Sequence, residues 1–459
     1  MNRNRAIIAG LTAALLTASP SFAQNGTVPR AEARTAPAAT AVETLDYVVR
    51  PGDTLIDLAV AYLNRPSDYL RVQRHNRVAD PRRLPIGRTL AIPVSLLRAD
   101  PDQARISSFR GAVTLSQGGR VAPPTQGQSV SEDAVLTTGA NAFVRLALSD
   151  GSHVVVPSNS RVRLSRLRRY ALNGAVDHAM TVEAGRAESQ VTPRGRPGGF
   201  VVRTPVSVSA VRGTEFRVAF SDAADRSATE VIEGVVEVDS GDGLSETVAV
   251  ADQGVSTSLT DTRLLPLLPA PALTQPDEVQ SGAVVDFVLA PLDGAAAYRG
   301  RLATDAGMID AFAEADSAPN TPRLSFGALA DGAYFLRLSA LSPEDLEGRA
   351  TTYSFIRARN GVGGLTSSSE TRDNRRFYRF RWESEGEGEA RFRFQLSRED
   401  AEGRAEGPPL VDQQGVAEQA FTLSDLPPGV YTWRVQGSRH RFGRLLQVWS
   451  EPQQLRIGR

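Results

Sequence analysis

Ala142-Phe-Val-Arg-Leu-Ala-Leu148, Ser149-Asp-Gly-Ser152 and His153-Val-Val-Val156 together read as two strands around a tight turn. Apolar residues alternate with polar ones, and Asp-Gly supplies the reversal. The pattern continues in both directions. Phe109-Arg-Gly111-Ala-Val113 and Leu136-Thr-Thr-Gly139 precede it. Met180-Thr-Val-Glu-Ala-Gly185, Val201-Val-Arg-Thr-Pro205, Val208-Ser-Ala-Val-Arg212-Gly213-Thr214-Glu215-Phe216-Arg-Val218 and Glu233-Gly234-Val-Val-Glu-Val238 follow it. Short strands with Gly turns over residues 105–250 predict a β-rich domain.

That domain fills only part of a chain of 459 residues, so several domains are expected. Basic and acidic residues balance at 52 each, which argues against nucleic acid or anionic lipid as a whole-chain partner. The sequence contains no Cys, excluding disulfides, thiolate zinc sites and a cysteine nucleophile. It also contains no Lys, excluding a Schiff base or a P-loop lysine. The four His residues show no metal-ligand spacing, and no G-x-S-x-G elbow occurs. No cofactor, no metal and no catalytic residue is expected. Paired carboxylates that meet only in the fold leave a glycan hydrolase as an alternative.

The N-terminus predicts export. Arg3 and Arg5 precede the apolar run Ala6–Ala18, and Ser21-Phe22-Ala23 places small residues for cleavage before Gln24. The run is shorter than the roughly 20 residues of a spanning helix. Residues 1–23 are thus a signal peptide and 24–45 a linker rich in Ala, Pro and Thr. No membrane span is expected after cleavage.

Residues 46–94 predict a compact βααβ unit. Tyr47-Val-Val49 is a strand, and Arg50-Pro-Gly-Asp-Thr54 is a turn into a helix that Thr54 and Asp57 cap. Leu55, Leu58, Ala59, Tyr62 and Leu63 form one apolar stripe. Arg65-Pro66 breaks the helix, and a second one carries Tyr69, Leu70 and Val72 to Asn76. Leu84-Pro-Ile-Gly87 leads into the strand Thr89-Leu-Ala-Ile92, closed by Pro93.

The unit resembles a LysM domain through PGDTL after the strand, Asn at the end of the second helix, and G-x-x-L-x-IP at the close. The resemblance implies binding of N-acetylglucosamine-containing glycan, hence peptidoglycan, in a shallow groove. Carried over by position, the groove is Gly52, Asp53, Thr54 and Leu55 on one side and Pro85, Ile86 and Gly87 on the other. Leu55 and Ile86 would offer apolar contact to sugar faces. The alternative is that Gly52 and Gly87 only supply turn geometry.

Residues 105–250 resemble the FecR domain through TTG, L-S-DGS and, above all, VRGTEF at 211–216. Some members of that family relay a signal across the inner membrane, using a cytoplasmic helical segment and a transmembrane helix. Neither is found ahead of this domain, and a periplasmic module contacting another envelope component is the expectation. A signalling component is the alternative. Arg161, Arg163, Arg166, Arg168 and Arg169 form a basic cluster, either a solvated face or a site for anionic envelope polymer.

Thr260–Pro276 reads as an extended Pro-rich connector. Beyond it, Phe326-Gly-Ala-Leu329-Ala-Asp-Gly332-Ala-Tyr334 echoes Leu423-Ser-Asp-Leu426-Pro-Pro-Gly429-Val-Tyr431. Two tandem, separable β-sandwiches resembling fibronectin-III repeats are predicted, at 270–357 and 376–457. Trp382, Trp433 and Trp449 are core residues or, alternatively, a carbohydrate platform. The whole is a multidomain, mainly β protein.

Overall fold

The computed structural model describes residues 43–193, 199–211, 213–241 and 246–458. The expected signal peptide, most of the expected linker and Arg212 lie outside them. The protein is mainly β, with its two short α-helices confined to the N-terminal module.

In that module β1 (Thr44–Val48) pairs antiparallel with β2 (Thr89–Pro93), and α1 (Leu55–Tyr62) and α2 (Tyr69–His75) lie between them in sequence. The predicted stripe is buried at Leu55, Leu58, Ala59 and Leu63, with Tyr62 packed at its edge. Leu70 is an exception. It is 49% exposed, because α2 turns inward only through Val72 and the side of Tyr69.

The module core does not stop at Pro93. Leu96 and Leu97 belong to it, and so do Tyr170 and Leu172 of the central domain. Backbone bonds from Arg98 N to Tyr62 O (2.7 Å) and from Ala171 N to Arg98 O (3.1 Å) tie the two together. The module is therefore docked on the central domain.

The strands of the central domain form two sheets that close into a barrel around one apolar core. The strand Val176–Gln190 belongs to both. Residues 176–184 pair with Arg161–Tyr170 and, in parallel, with Gly199–Arg203. Residues 185–190 pair with Glu215–Ser221 in the other sheet. The change of sheet falls at Gly185, which has φ +74° and would carry a Cβ only 2.4 Å from Asn159 O. The sequence pattern places a strand end at Gly185. The glycine is instead the bend that lets the strand continue. Gly213 plays a comparable role where the chain passes Pro193, 2.5 Å from its hypothetical Cβ.

The predicted connector is partly domain. Thr262–Pro266 pairs with Gln253–Ser258 as an edge strand, a place where Pro is tolerated. Leu267 then packs with Ala228 and Leu346, and Leu273 enters the core of the first sandwich.

Both sandwiches are present, and their repeat is real in structure. Tyr334 and Tyr431 each donate a hydroxyl hydrogen bond to the carbonyl four residues upstream, Ala330 (3.2 Å) and Pro427 (2.8 Å). Trp382 and Trp433 are buried core residues. Trp449 is half-buried beneath the Arg434 guanidinium, 4.2 Å from its ring centre. The second sandwich begins earlier than expected, because Gly361–Arg372 pairs with Arg375–Glu385.

The first sandwich is not free of the central domain. Arg145, Glu188, Arg217 and Glu230 form a row across neighbouring strands, and the sandwich opposes it with Arg299, Arg301, Glu314 and Glu347. Arg301 bridges Glu188 (2.6 Å) and Glu314 (3.0 Å). Glu347 accepts from Arg217 and Arg299, both at 2.9 Å. Arg186 reaches Glu314 at 2.6 Å. Buried charges in such number hold a joint only when each is paired.

Burial pushes the Glu230 carboxyl up to about 7, and Arg217 offsets only part of that. Burial acts the same way on Glu347, but Arg217, Arg299 and Arg301 outweigh it and bring it down to about 2. The signs are opposite. Glu230 binds its proton more tightly folded than unfolded, so its contribution is full below the ordinary Glu value of 4.5 and is lost as pH rises from there to about 7. The contribution of Glu347 is present above the ordinary Glu range and fades as pH falls toward 2. The melting temperature should therefore peak near the ordinary Glu value of 4.5, where both contributions are largest, and fall as pH rises from there to about 7. Calorimetric melts across that range check this, and Glu230→Gln should flatten the fall between about pH 4.5 and 7.

Candidate functional site

Two turns meet at one end of the N-terminal module. Val49 N donates to Arg88 O and Gly87 N donates to Val49 O, each at 2.9 Å. These bonds extend the β1–β2 pairing into the loops, so Pro51–Thr54 and Pro85–Gly87 leave the sheet side by side. Gly52 (φ +90°) and Gly87 (φ +79°) occupy backbone that favours glycine. A Cβ at either would meet nothing within 4 Å, so the space over both turns is open.

The seven residues expected to form the groove divide by role. Gly52, Pro85, Ile86 and Gly87 are exposed, Ile86 at 70%. The Asp53 carboxylate is taken up by the turn, accepting from Tyr47 Oη (2.8 Å) and Arg50 N (2.7 Å). Burial and this carboxylate push the Tyr47 hydroxyl up to about 12. Thr54 Oγ1 caps α1, accepting from Asp57 N (3.1 Å) and donating to its carboxylate (2.6 Å). Leu55 is 2% exposed. As the first residue of α1 it points into the core, so its side chain is not turned toward a ligand. Ile86 is the exposed apolar side chain beside the two turns.

Sequence reasoning missed two supports. Pro81 O accepts from Leu55 N (2.8 Å), which brings the Asp80–Arg83 loop to the groove end of α1. Asn76 spans from α2 to β2: Nδ2 donates to Val72 O and Ala91 O, and Oδ1 accepts from Ala91 N. Arg88 donates to Asn76 O at 2.6 Å. The loop carrying Ile86 is thus fixed from below. The dock on the central domain lies at the Tyr62 end of α1, about 12 Å along an eight-residue helix from the groove.

Residues 47–93 match the family model of the LysM domain, and residues 134–237 match that of the FecR protein. The chain carries a LysM domain and a FecR domain. No curated protein matches it. Among solved structures, a candidate anti-sigma factor from Parabacteroides distasonis ATCC 8503 aligns over 28% of this chain and 57% of its own, at 21% identity and TM-score 0.24. The FN1–FN3 domains of chicken CNTN1 align over 58% of this chain and 100% of their own, at 13% identity and TM-score 0.20. Both scores are low, and the domain assignment rests on the two family matches.

In the FecR domain the arginine cluster is occupied. Arg161 and Arg163 share Glu183, Arg166 faces Asp177, Arg168 faces Glu132 and Arg169 faces Asp102. Five guanidiniums with five carboxylate contacts are a paired surface, poorly suited to an anionic polymer. Among the described residues no group of three His, Asp or Glu side chains is placed to hold a metal ion.

Proposed function

We propose that this protein is an exported, non-enzymatic envelope protein whose LysM domain binds the N-acetylglucosamine-containing glycan of peptidoglycan. The supporting observation is the pair of open turns at Gly52 and Gly87, fixed side by side and facing away from the FecR dock. N-acetyl groups need backbone partners, and glycine lets backbone approach a ligand closely. Ile86 adds an apolar contact. The signal-like N-terminus supports export, and no described helix is long and apolar enough to cross a membrane. The FecR domain and the sandwiches would then present surfaces to another envelope component.

A shallow groove contacts few ligand atoms, so binding should be weak. Titration with an N-acetylglucosamine tetramer should show saturable binding to the full chain. Ile86→Asp should weaken it about tenfold or more, the scale of losing a central apolar contact, with the melting temperature unchanged. Equal binding by wild type and variant would remove Ile86 from the site.

A further inference from the structure

A cleft of about 170 Å³ opens beside the charged joint between the FecR domain and the first sandwich. Arg145 and His153 line it from the FecR side, Arg337 and Met308 from the sandwich. Its floor continues the charged row, since Val155 lies between Arg145 and Glu188 in register. Within that row the charges are unevenly satisfied. Glu188 is already held by two contacts from Arg301, at 2.6 and 3.2 Å. Arg145 and Arg337 are half-buried, and among the described residues neither guanidinium reaches a carboxylate within 4.0 Å. Nδ1 of His153 is buried with no hydrogen-bond partner. Glu215 also lines the cleft, in register with Gln190 beside His153, and offsets part of this charge. The lining still carries four Arg against two Glu.

Arg337 acts on Glu188 only from beyond ion-pair distance, and guanidiniums without a close carboxylate on walls from two domains are an arrangement suited to a planar or tetrahedral oxyanion, which each fork can grip with two N–H groups. The volume exceeds several times the roughly 30 Å³ share of one liquid water, enough for a carboxylate or phosphate with a short attachment. We propose that this cleft binds a small oxyanion, a carboxylate or a phosphate group, between Arg145 and Arg337. Because its walls belong to two domains, the ligand would also tie the FecR domain to the sandwich.

The test uses the full chain without its first 23 residues, titrated calorimetrically at fixed ionic strength with three probes. These are N-acetyl-alanyl-alanine with its free carboxylate, the same peptide as its C-terminal amide, and inorganic phosphate. At least one oxyanion should bind and raise the melting temperature, and the amide should do neither. Binding of the acid alone assigns a carboxylate, and binding of phosphate alone assigns a phosphate. Arg337→Gln and Arg145→Gln should each weaken binding about tenfold or more, the scale of losing a charged hydrogen bond. Arg337→Lys keeps the charge without the fork and should fall between, which guards against a folding defect in either Gln variant. Failure of both oxyanions, equal binding of acid and amide, or undiminished binding by the Arg337 variants would overturn the proposal.

Discussion

Glu347→Ala is expected to destabilise the chain by about 3–5 kcal/mol, the cost of removing one partner from a buried charge pair. The carboxylate sits between Arg217 and Arg299, with Ser339 Oγ donating to it at 2.8 Å. Removing it leaves two guanidiniums buried without their shared partner. Glu347→Gln keeps the size and some hydrogen bonding, so its loss should be smaller. Urea unfolding of the full chain measures both. Because the network joins two domains, the first sandwich expressed alone would expose Arg299, Arg301, Glu314 and Glu347 to water. The expectation of two freely separable sandwiches therefore holds better for the second than for the first. A loss below about 1 kcal/mol for Glu347→Ala would place this joint among surface ion pairs, which contribute little.

The second large effect is expected at Gly185. Its positive φ alone costs another residue roughly 1–3 kcal/mol. The added Cβ would also press on Asn159 O and Ser160 Oγ, at 2.4 and 2.5 Å, and such overpacking costs about 1–3 kcal/mol more. Gly185→Ala should thus lower stability by about 2–6 kcal/mol and reduce soluble yield. A midpoint within error of wild type would mean that the long strand can change sheets without a glycine.

Local patterns make much of the fold legible. Asp-Gly at 150–151, the stripe from Leu55 to Leu63 and the twin Tyr334 and Tyr431 repeats all lie within a few residues in sequence. The pair of turns at Gly52 and Gly87 is legible in outline for the same reason. Leu55 departs from its expected role because the Thr54 cap makes it the first helical residue, and its direction depends on the core behind it. The connector differs for another reason. Pro266, Pro269 and Pro271 signal a break in pairing, yet Thr262–Pro266 joins a sheet edge that only the fold supplies. The joint lies beyond the reach of sequence altogether. Arg145, Glu188, Arg217 and Glu230 become a row only through strand register, and the partners of Glu188, Arg217 and Glu230 come from another domain.

The LysM groove is the central claim, and sedimentation with insoluble peptidoglycan tests it most directly. Deleting the whole module would also strip the apolar dock at Tyr170 and Leu172, so the comparison is between the wild-type chain and Ile86→Asp. Neutral sugars make no ion pairs, so wild type should stay in the pellet in about 0.5 M salt, where the Debye length is about 4 Å. Ile86→Asp should remain largely in the supernatant. Equal sedimentation of the two chains, or release of wild type by the salt, would contradict the account.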